Sequence, residues 1–133
     1  MGRTRRLNVL LDTHALMWWV WDDERLTQSA RQAIRSADTI FVSSVSAIEI
    51  AIKYRIGKLP NGEMLAEHFL KVMEDESFAE LPVTWRDASL AGRMEGDHRD
   101  PFDRLLIAQG LLNELTLVSN ERLFDRFGVA RIW

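Results

Sequence analysis

Four acids stand where they could do chemistry together: Asp12, Glu49, Asp103 and Glu121. Asp12 closes the apolar run Leu7-Asn8-Val9-Leu10-Leu11 and passes at once into Thr13-His14-Ala15. It therefore brings negative charge to the carboxyl end of a strand, where open α/β sheets place their ligands. Glu49 and Asp103 each sit at the third position of a helix-opening pattern. Each lies in line with apolar residues, Ile52 and Ile56 for one and Leu106, Ile107 and Gly110 for the other. Every acid also has a plain explanation. Asp12 can cap the helix that follows it, Glu49 can complete a capping box with Ser46, Asp103 repeats that position after Asp100, and Glu121 can be a first-turn acid behind a Ser119-Asn120 cap. Convergence would change the balance, because two carboxylates about 5 Å apart repel by roughly 3 kcal/mol at an effective dielectric near 20, against a domain stability of ~5–15 kcal/mol. A divalent cation relieves such repulsion. Hard oxygen ligands are also what Mg²⁺ needs to hold a phosphate and to activate a bound water.

Composition bounds that chemistry. The 133 residues make one domain, residues 1–133, able to bury about 70% of the surface its unfolded form exposes. There is no cysteine, which removes thiolate zinc, disulfides and cysteine nucleophiles. The histidines are His14, His68 and His98, so a bound metal would be held mainly by oxygen and would be Mg²⁺ or Mn²⁺. A net charge of −3 argues against an obligate nucleic-acid coat but leaves room for an enzyme that meets phosphates through a cation. Local basic groups occur at Arg3, Arg5 and Arg6, at Lys53, Arg55 and Lys58, and at Arg99 and Arg104 beside Asp103. No window is apolar enough to span a bilayer, and the arginine-rich start lacks the apolar stretch of a signal peptide. The expectation is a soluble cytoplasmic protein with no membrane partner.

The elements that must position the acids follow from alternating strand-like and helical patterns, the sequence mark of βαβ units around a parallel sheet. A strand over Asn8 to Leu11 feeds a helix from Ala15 to Trp21. After the polar break Asp22-Asp23-Glu24, Thr27 caps a helix carrying Ala30, Ala33 and Ile34, and Thr39 to Val42 form a second strand. Ser46 and Glu49 open a helix with Ile48, Ile52 and Ile56 spaced for burial, which Gly57 ends. A loop over Lys58 to Gly62 leads to a helix through Leu65, Phe69, Leu70 and Val72. A short strand follows at Leu81-Pro82-Val83, suited by its proline to an edge or end of the sheet, and then a helix from Ala88 to Met94. Asp100-Pro101 opens a helix by the usual Ncap and N1 preferences, filled by Leu105 to Leu112. Leu115 to Val118 make a strand, Glu121 to Phe127 a helix, and Arg131 to Trp133 a final strand. Met17-Trp18-Trp19-Val20-Trp21 is apolar all round its helix, which points to burial and also suits a partner surface.

Taken in order, Leu10-Leu11-Asp12-Thr13-His14, Ser43 to Lys53, Gly57-Lys58-Leu59 and His98 to Gln109 resemble the PIN domain family, and more narrowly the VapC-type ribonuclease toxins of prokaryotic toxin–antitoxin pairs. Each motif is short, but their order and spacing together are specific, and the likeness runs from Leu10 to Trp133. The resemblance implies a three-layer α/β/α sandwich with a central, mainly parallel sheet, and a metal-dependent endoribonuclease acting on RNA. Asp12, Glu49 and Asp103 match the family acids that hold Mg²⁺ or Mn²⁺. Glu121 falls on the fourth acid, usually aspartate, with Ser119 at the family's threonine. That departure lengthens the side chain by one methylene. Thr13, Ser46 and Asp100 are expected to support the site, with backbone capping as the other role of Ser46 and Asp100. Arg99, Arg104 and Lys53 are candidate phosphate contacts, while His14 and His98 are expected to pack or hydrogen-bond. The implied partners are a VapB-like antitoxin, laid over the apolar stretch with a basic side chain among the acids, and a second copy in a homodimer. Two rivals remain: a PIN-fold RNA-binding or scaffold module without catalysis, and a phosphoacceptor receiver domain. The receiver lacks its acid pair, the acid after the third strand and a lysine after the fifth.

Overall fold

A computed structural model describes residues 7–133, so the basic group Arg3, Arg5 and Arg6 lies outside the described residues. Five strands form one sheet: β1 (Asn8–Leu11), β2 (Thr39–Ser43), β3 (Ala79–Leu81), β4 (Thr116–Val118) and β5 (Arg131–Ile132). They lie in the order β3-β2-β1-β4-β5, and every neighbouring pair is parallel. In β1 the alternation of side chains divides the interior. Val9 and Leu11 enter one core with Leu16, Ile34 and Ile50, whereas Leu10 enters the other with Leu106, Ile107, Leu117 and Phe124. Burying each such aliphatic side chain contributes roughly 1.5–3 kcal/mol, which keeps the central strand in register.

Helices cover both faces, completing the expected α/β/α sandwich. They are α1 (Thr13–Val20), α2 (Gln28–Ser36), α3 (Ser44–Arg55), α4 (Glu63–Glu67), α5 (Phe69–Glu76), α6 (Trp85–Arg93) and α7 (Pro101–Leu112), with a 3-10 helix at Arg122–Phe127 before β5. The first core draws on α1, α2, α4 and α5, the second on α7, and α3 feeds both through Ile50 and Val45. Among the described residues no helix is long and apolar enough to cross a membrane.

Several boundaries differ from expectation. α3 starts at Ser44 with Ser43 as its cap, the Ser43 hydroxyl accepting Val45 N–H at 3.0 Å. Ser46 and Glu49 are therefore inside the helix and form no capping box. Its buried positions are Val45, Ser46, Glu49 and Ile50, while Ile48 and Ile56 are about half exposed. The single helix expected through Leu65 to Val72 breaks at His68 into α4 and α5. β3 lies two residues earlier than Leu81-Pro82-Val83, leaving Pro82 just past an edge strand. A capping box does exist, at Thr84 and Asp87, and it starts α6 three residues before Ala88. Met17 and Trp18 are buried as expected, but Trp19, Val20 and Trp21 are only partly so.

Candidate active site

Strand order decides where the acids meet. β1 is the middle strand, so Asp12, directly after it, emerges at the centre of the sheet's carboxyl edge, with its N–H bonded to Val118 O at 3.1 Å. α3 follows β2 on one side, and the Ser119–Glu121 segment follows β4 on the other. Asp103 arrives from the first turn of α7. These four acids line one cavity of about 550 Å³, together with Thr13, Asp100, Lys53 and Lys58.

Asp12 combines a cap with a place in the cavity. Its Oδ1 accepts Ala15 N–H at 2.8 Å as the N-cap of α1, and the residue is 5% exposed. Burial lifts its carboxyl from 3.8 to about 6; the Ser119 side chain and the Ala15 N–H oppose the lift, and the charges of Asp103 and Glu49 add to it. Glu49 is buried too. Thr13 donates its hydroxyl proton to Glu49 Oε1 at 2.7 Å, so the 2.9 Å contact between Thr13 Oγ1 and Ser46 Oγ is donated by Ser46. The other carboxylate oxygen pairs with Lys53 Nζ at 3.1 Å, one turn along the same helix.

Asp103 is left free of capping work because Asp100 does it, accepting the N–H groups of Phe102 at 2.9 Å and Asp103 at 3.4 Å. Burial, then the charge of Asp100, raises the Asp103 carboxyl to about 6, with His98 pulling the other way and Glu49 adding to the rise. His98 Nε2 lies 2.8 Å from Asp103 Oδ2 without the alignment of a hydrogen bond, and its ring sits 6.0 Å from that of Phe124. Glu121 reaches the cavity from its rim. Its Oε1 accepts Leu123 N–H at 3.2 Å, so Glu121 is itself the cap of the 3-10 helix, in place of Ser119 and Asn120. The Ser119 hydroxyl instead accepts Glu121 N–H at 3.0 Å, bracing the segment that carries the acid.

The basic candidates separate. Lys53 lines the cavity, whereas Arg99 is exposed and does not. Arg104 points elsewhere: its guanidinium donates to the carbonyls of Ala91 at 2.7 Å, His98 at 3.0 Å and Met94, and lies over the Phe127 ring. The expected phosphate contact is therefore a clamp on the α6–α7 loop. Arg131 was not singled out in the sequence. It donates to Ser119 O at 3.0 Å and grips Asp125 through two bonds, fixing the start of the Glu121 segment from β5. Lys58 had been seen only as a local basic residue; its place beside the acids depends on the loop after α3, which Gly57 starts at φ +76°.

The donor set is hard oxygen with no sulfur, which fits Mg²⁺ or Mn²⁺. Among the described residues no three acid or histidine side chains converge on one point, since Glu49 is drawn to Lys53 and Asp103 toward His98. Burial, with the neighbouring carboxylates adding to it, still holds the Asp12 and Asp103 carboxyls up at about 6. A cation entering the cavity would relieve a strain that the internal partners leave in place.

Comparison with known proteins agrees with the fold. A family model described as PIN domain matches residues 9–130. Ribonuclease VapC22 of Mycobacterium tuberculosis (strain ATCC 25618 / H37Rv) is 34% identical over 121 residues, covering 86% of this chain and 87% of that protein. Among solved structures, VapBC2 from Rickettsia felis bound to a promoter DNA fragment is similar at TM-score 0.66 and 16% identity, over 94% of this chain and 97% of that one. The DNA-bound VapBC of Salmonella typhimurium is similar at TM-score 0.64 and 20% identity, over 94% and 96%. FitAcB from Neisseria gonorrhoeae gives 0.61 and 17%, over 92% and 95%. At these identities the structures speak for the fold alone.

Proposed function

The chain belongs to the PIN domain family, and from that premise we propose that it is a metal-dependent endoribonuclease, the toxin of a VapBC-type toxin–antitoxin pair. The observation that carries the reading is the gathering of Asp12, Glu49, Asp103 and Glu121 around one cavity at the carboxyl edge of the parallel sheet. Similarity to a ribonuclease over most of both chains supports the substrate.

Asp12, Glu49 and Asp103 would hold Mg²⁺ or Mn²⁺, with Glu121 reaching in from the rim. When bound, the cation supplies charge stabilisation at phosphorus and lowers the pKa of water. The chain's own groups do the rest. Thr13 and Ser46 fix the Glu49 carboxylate through a relay of two hydroxyls. Asp100 caps α7 and so holds Asp103 at the mouth. Lys53, in the cavity wall, is placed to meet a phosphate oxygen. Attack of water on phosphorus forms the new P–O bond as the bond to the 3′ oxygen breaks, and that oxygen takes a proton. The route needs no 2′-hydroxyl and leaves 5′-phosphate and 3′-hydroxyl ends.

A VapB-like antitoxin and a homodimer complete the reading; the VapBC neighbours in fold support the first. The deciding experiment incubates purified chain, freed of any co-expressed partner, with a structured RNA in Mg²⁺ and in chelator. Cleavage in Mg²⁺ alone, with 5′-phosphate ends, is expected. Asp12→Asn and Asp103→Asn should abolish it while the circular dichroism spectrum is kept. Full Mg²⁺-dependent activity in both variants would sink the assignment, and RNA binding without cleavage would favour a non-catalytic module.

A further inference from the structure

Beside the acidic cavity lies a second hollow of about 820 Å³, within the ~300–1,000 Å³ of small-ligand sites. The two share His14, Trp18, Lys53 and Lys58 in their walls, so they are one continuous depression with an acidic end and a basic, aromatic end. We propose that the second hollow is a nucleotide subsite, which takes one unpaired nucleotide of the RNA strand next to the scissile phosphate, its base stacked on Trp21 and its phosphate held by Lys53 and Lys58. This inference rests on the ribonuclease reading of the acidic cavity.

The tryptophans of α1 and its C-cap assign the stacking surface. Trp18 is 8% exposed and already enclosed, with the Arg25 guanidinium 4.9 Å above its ring, His14 at 5.5 Å and Trp133 at 5.6 Å. Trp19 turns the other way and donates its indole N–H to Glu76 at 2.8 Å. Trp21 is the indole that is both partly exposed and in the wall of the second hollow. A sequence-tolerant base platform needs an aromatic face of this kind beside cations that track the backbone.

Charge selects the occupant. Arg25, Lys53 and Lys58 line the hollow, and Arg25 is held to the one acid there, Asp23, by two bonds at 2.8 and 3.0 Å. Lys53 is paired with Glu49, and burial lowers the His14 pKa, so among the described residues Lys58 carries the free positive charge of this wall. Among the described residues Lys58 has no ion-pair partner. A polyanion meets opposite charge there and then reaches the acids, where cleavage occurs.

The test is anisotropy of a labelled 12-nucleotide single-stranded RNA in chelator, with KM and kcat then measured in Mg²⁺. Trp21→Ala should weaken binding about tenfold and raise KM, with Trp21→Phe recovering most of the loss. Lys58→Glu, at an exposed loop position that the core does not need, should weaken binding and flatten the slope of log K against log salt by about 0.7 or more. Lys71→Glu, the same charge change on α5 and in neither hollow, is the control and should leave the slope as it was. Unchanged binding and KM in both Trp21→Ala and Lys58→Glu, in a chain that cleaves RNA, overturns the subsite and leaves the ribonuclease reading standing. So does loss of antitoxin-peptide binding in those variants with RNA binding intact, which would make the hollow a polypeptide groove. A wild-type chain that neither binds nor cleaves RNA removes both readings.

Discussion

Glu121 differs from the buried acids because its carboxylate already has work, accepting Leu123 N–H at the rim of the cavity. An acid that acts on a metal from that distance would do so through water, and outer partners of this kind contribute about 10–100-fold. Glu121→Gln keeps an oxygen for the cap and removes the charge. Single-turnover cleavage should therefore fall by roughly 10–100-fold with the melting temperature unchanged, against complete loss in Asp103→Asn; equal losses would give Glu121 the same standing as the other three. Asp12 was legible from sequence because a carboxylate ending a buried strand has few other reasons to be there, and its cap to Ala15 accompanies its place in the cavity wall. For Glu49 it was the plain explanation that failed. The capping-box pattern starting at Ser46 is real in sequence, but Ser43 lies where the chain leaves β2 and takes the cap, which releases Glu49 into the interior. Arg104 misled in the opposite way. Its place beside Asp103 suggested phosphate, and only the packing of α6 shows that three carbonyls receive it.

Among elements, the α6–α7 connection has the clearest prediction. Arg104, on α7, ties down carbonyls at the end of α6 and at His98, the residue that faces Asp103. Arg104→Ala leaves those carbonyls without a charged donor, and a loss of about 2–4 kcal/mol is expected from urea unfolding. Faster amide exchange should concentrate in the loop following α6, and Arg104→Lys should recover only part because an ammonium cannot span the same fork. A stability loss spread evenly over the sheet would contradict a local clamp. Element boundaries were readable where side-chain chemistry marks them. Asp100-Pro101 and Thr27 start helices as expected, and Thr84-x-x-Asp87 carried a legible box that the apolar pattern after Ala88 obscured. The break at His68 was not readable, since Leu65, Phe69 and Val72 keep helical spacing straight through it. β3 slipped by two because an edge strand with one neighbour is weakly specified by its own residues.

At the scale of the whole molecule, alternating patterns made the parallel α/β sheet legible, but not the strand order that puts β1 in the middle and brings three other segments to Asp12. That assembly carries a cost in stability when no cation is bound. The folded state keeps a proton on Asp12 up to about pH 6, whereas the unfolded chain releases it near 3.8. Between those values the folded state binds more protons, so stability falls as pH rises, and Asp12 alone destabilises the fold by roughly 3 kcal/mol at pH 7. Asp103, also lifted to about 6, acts in the same window. His14, its pKa lowered by burial, opposes them in this window as one group against two carboxylates, and the other opposing contributions lie lower. Asp23, held near 2 by Arg25, and Asp125, held down by Arg131, stabilise the fold above the ordinary carboxylate range and are lost only as pH falls below it. Calorimetry of chelator-treated chain should therefore show the melting temperature dropping from pH 4.5 to pH 7. Asp12→Asn should lie above wild type at pH 7 with a shallower slope, and Mg²⁺ or Mn²⁺ should raise wild type at pH 7 far more than the variant. An equal pH slope in the two proteins would mean that the carboxylate after β1 is not the group whose burial costs the fold its stability.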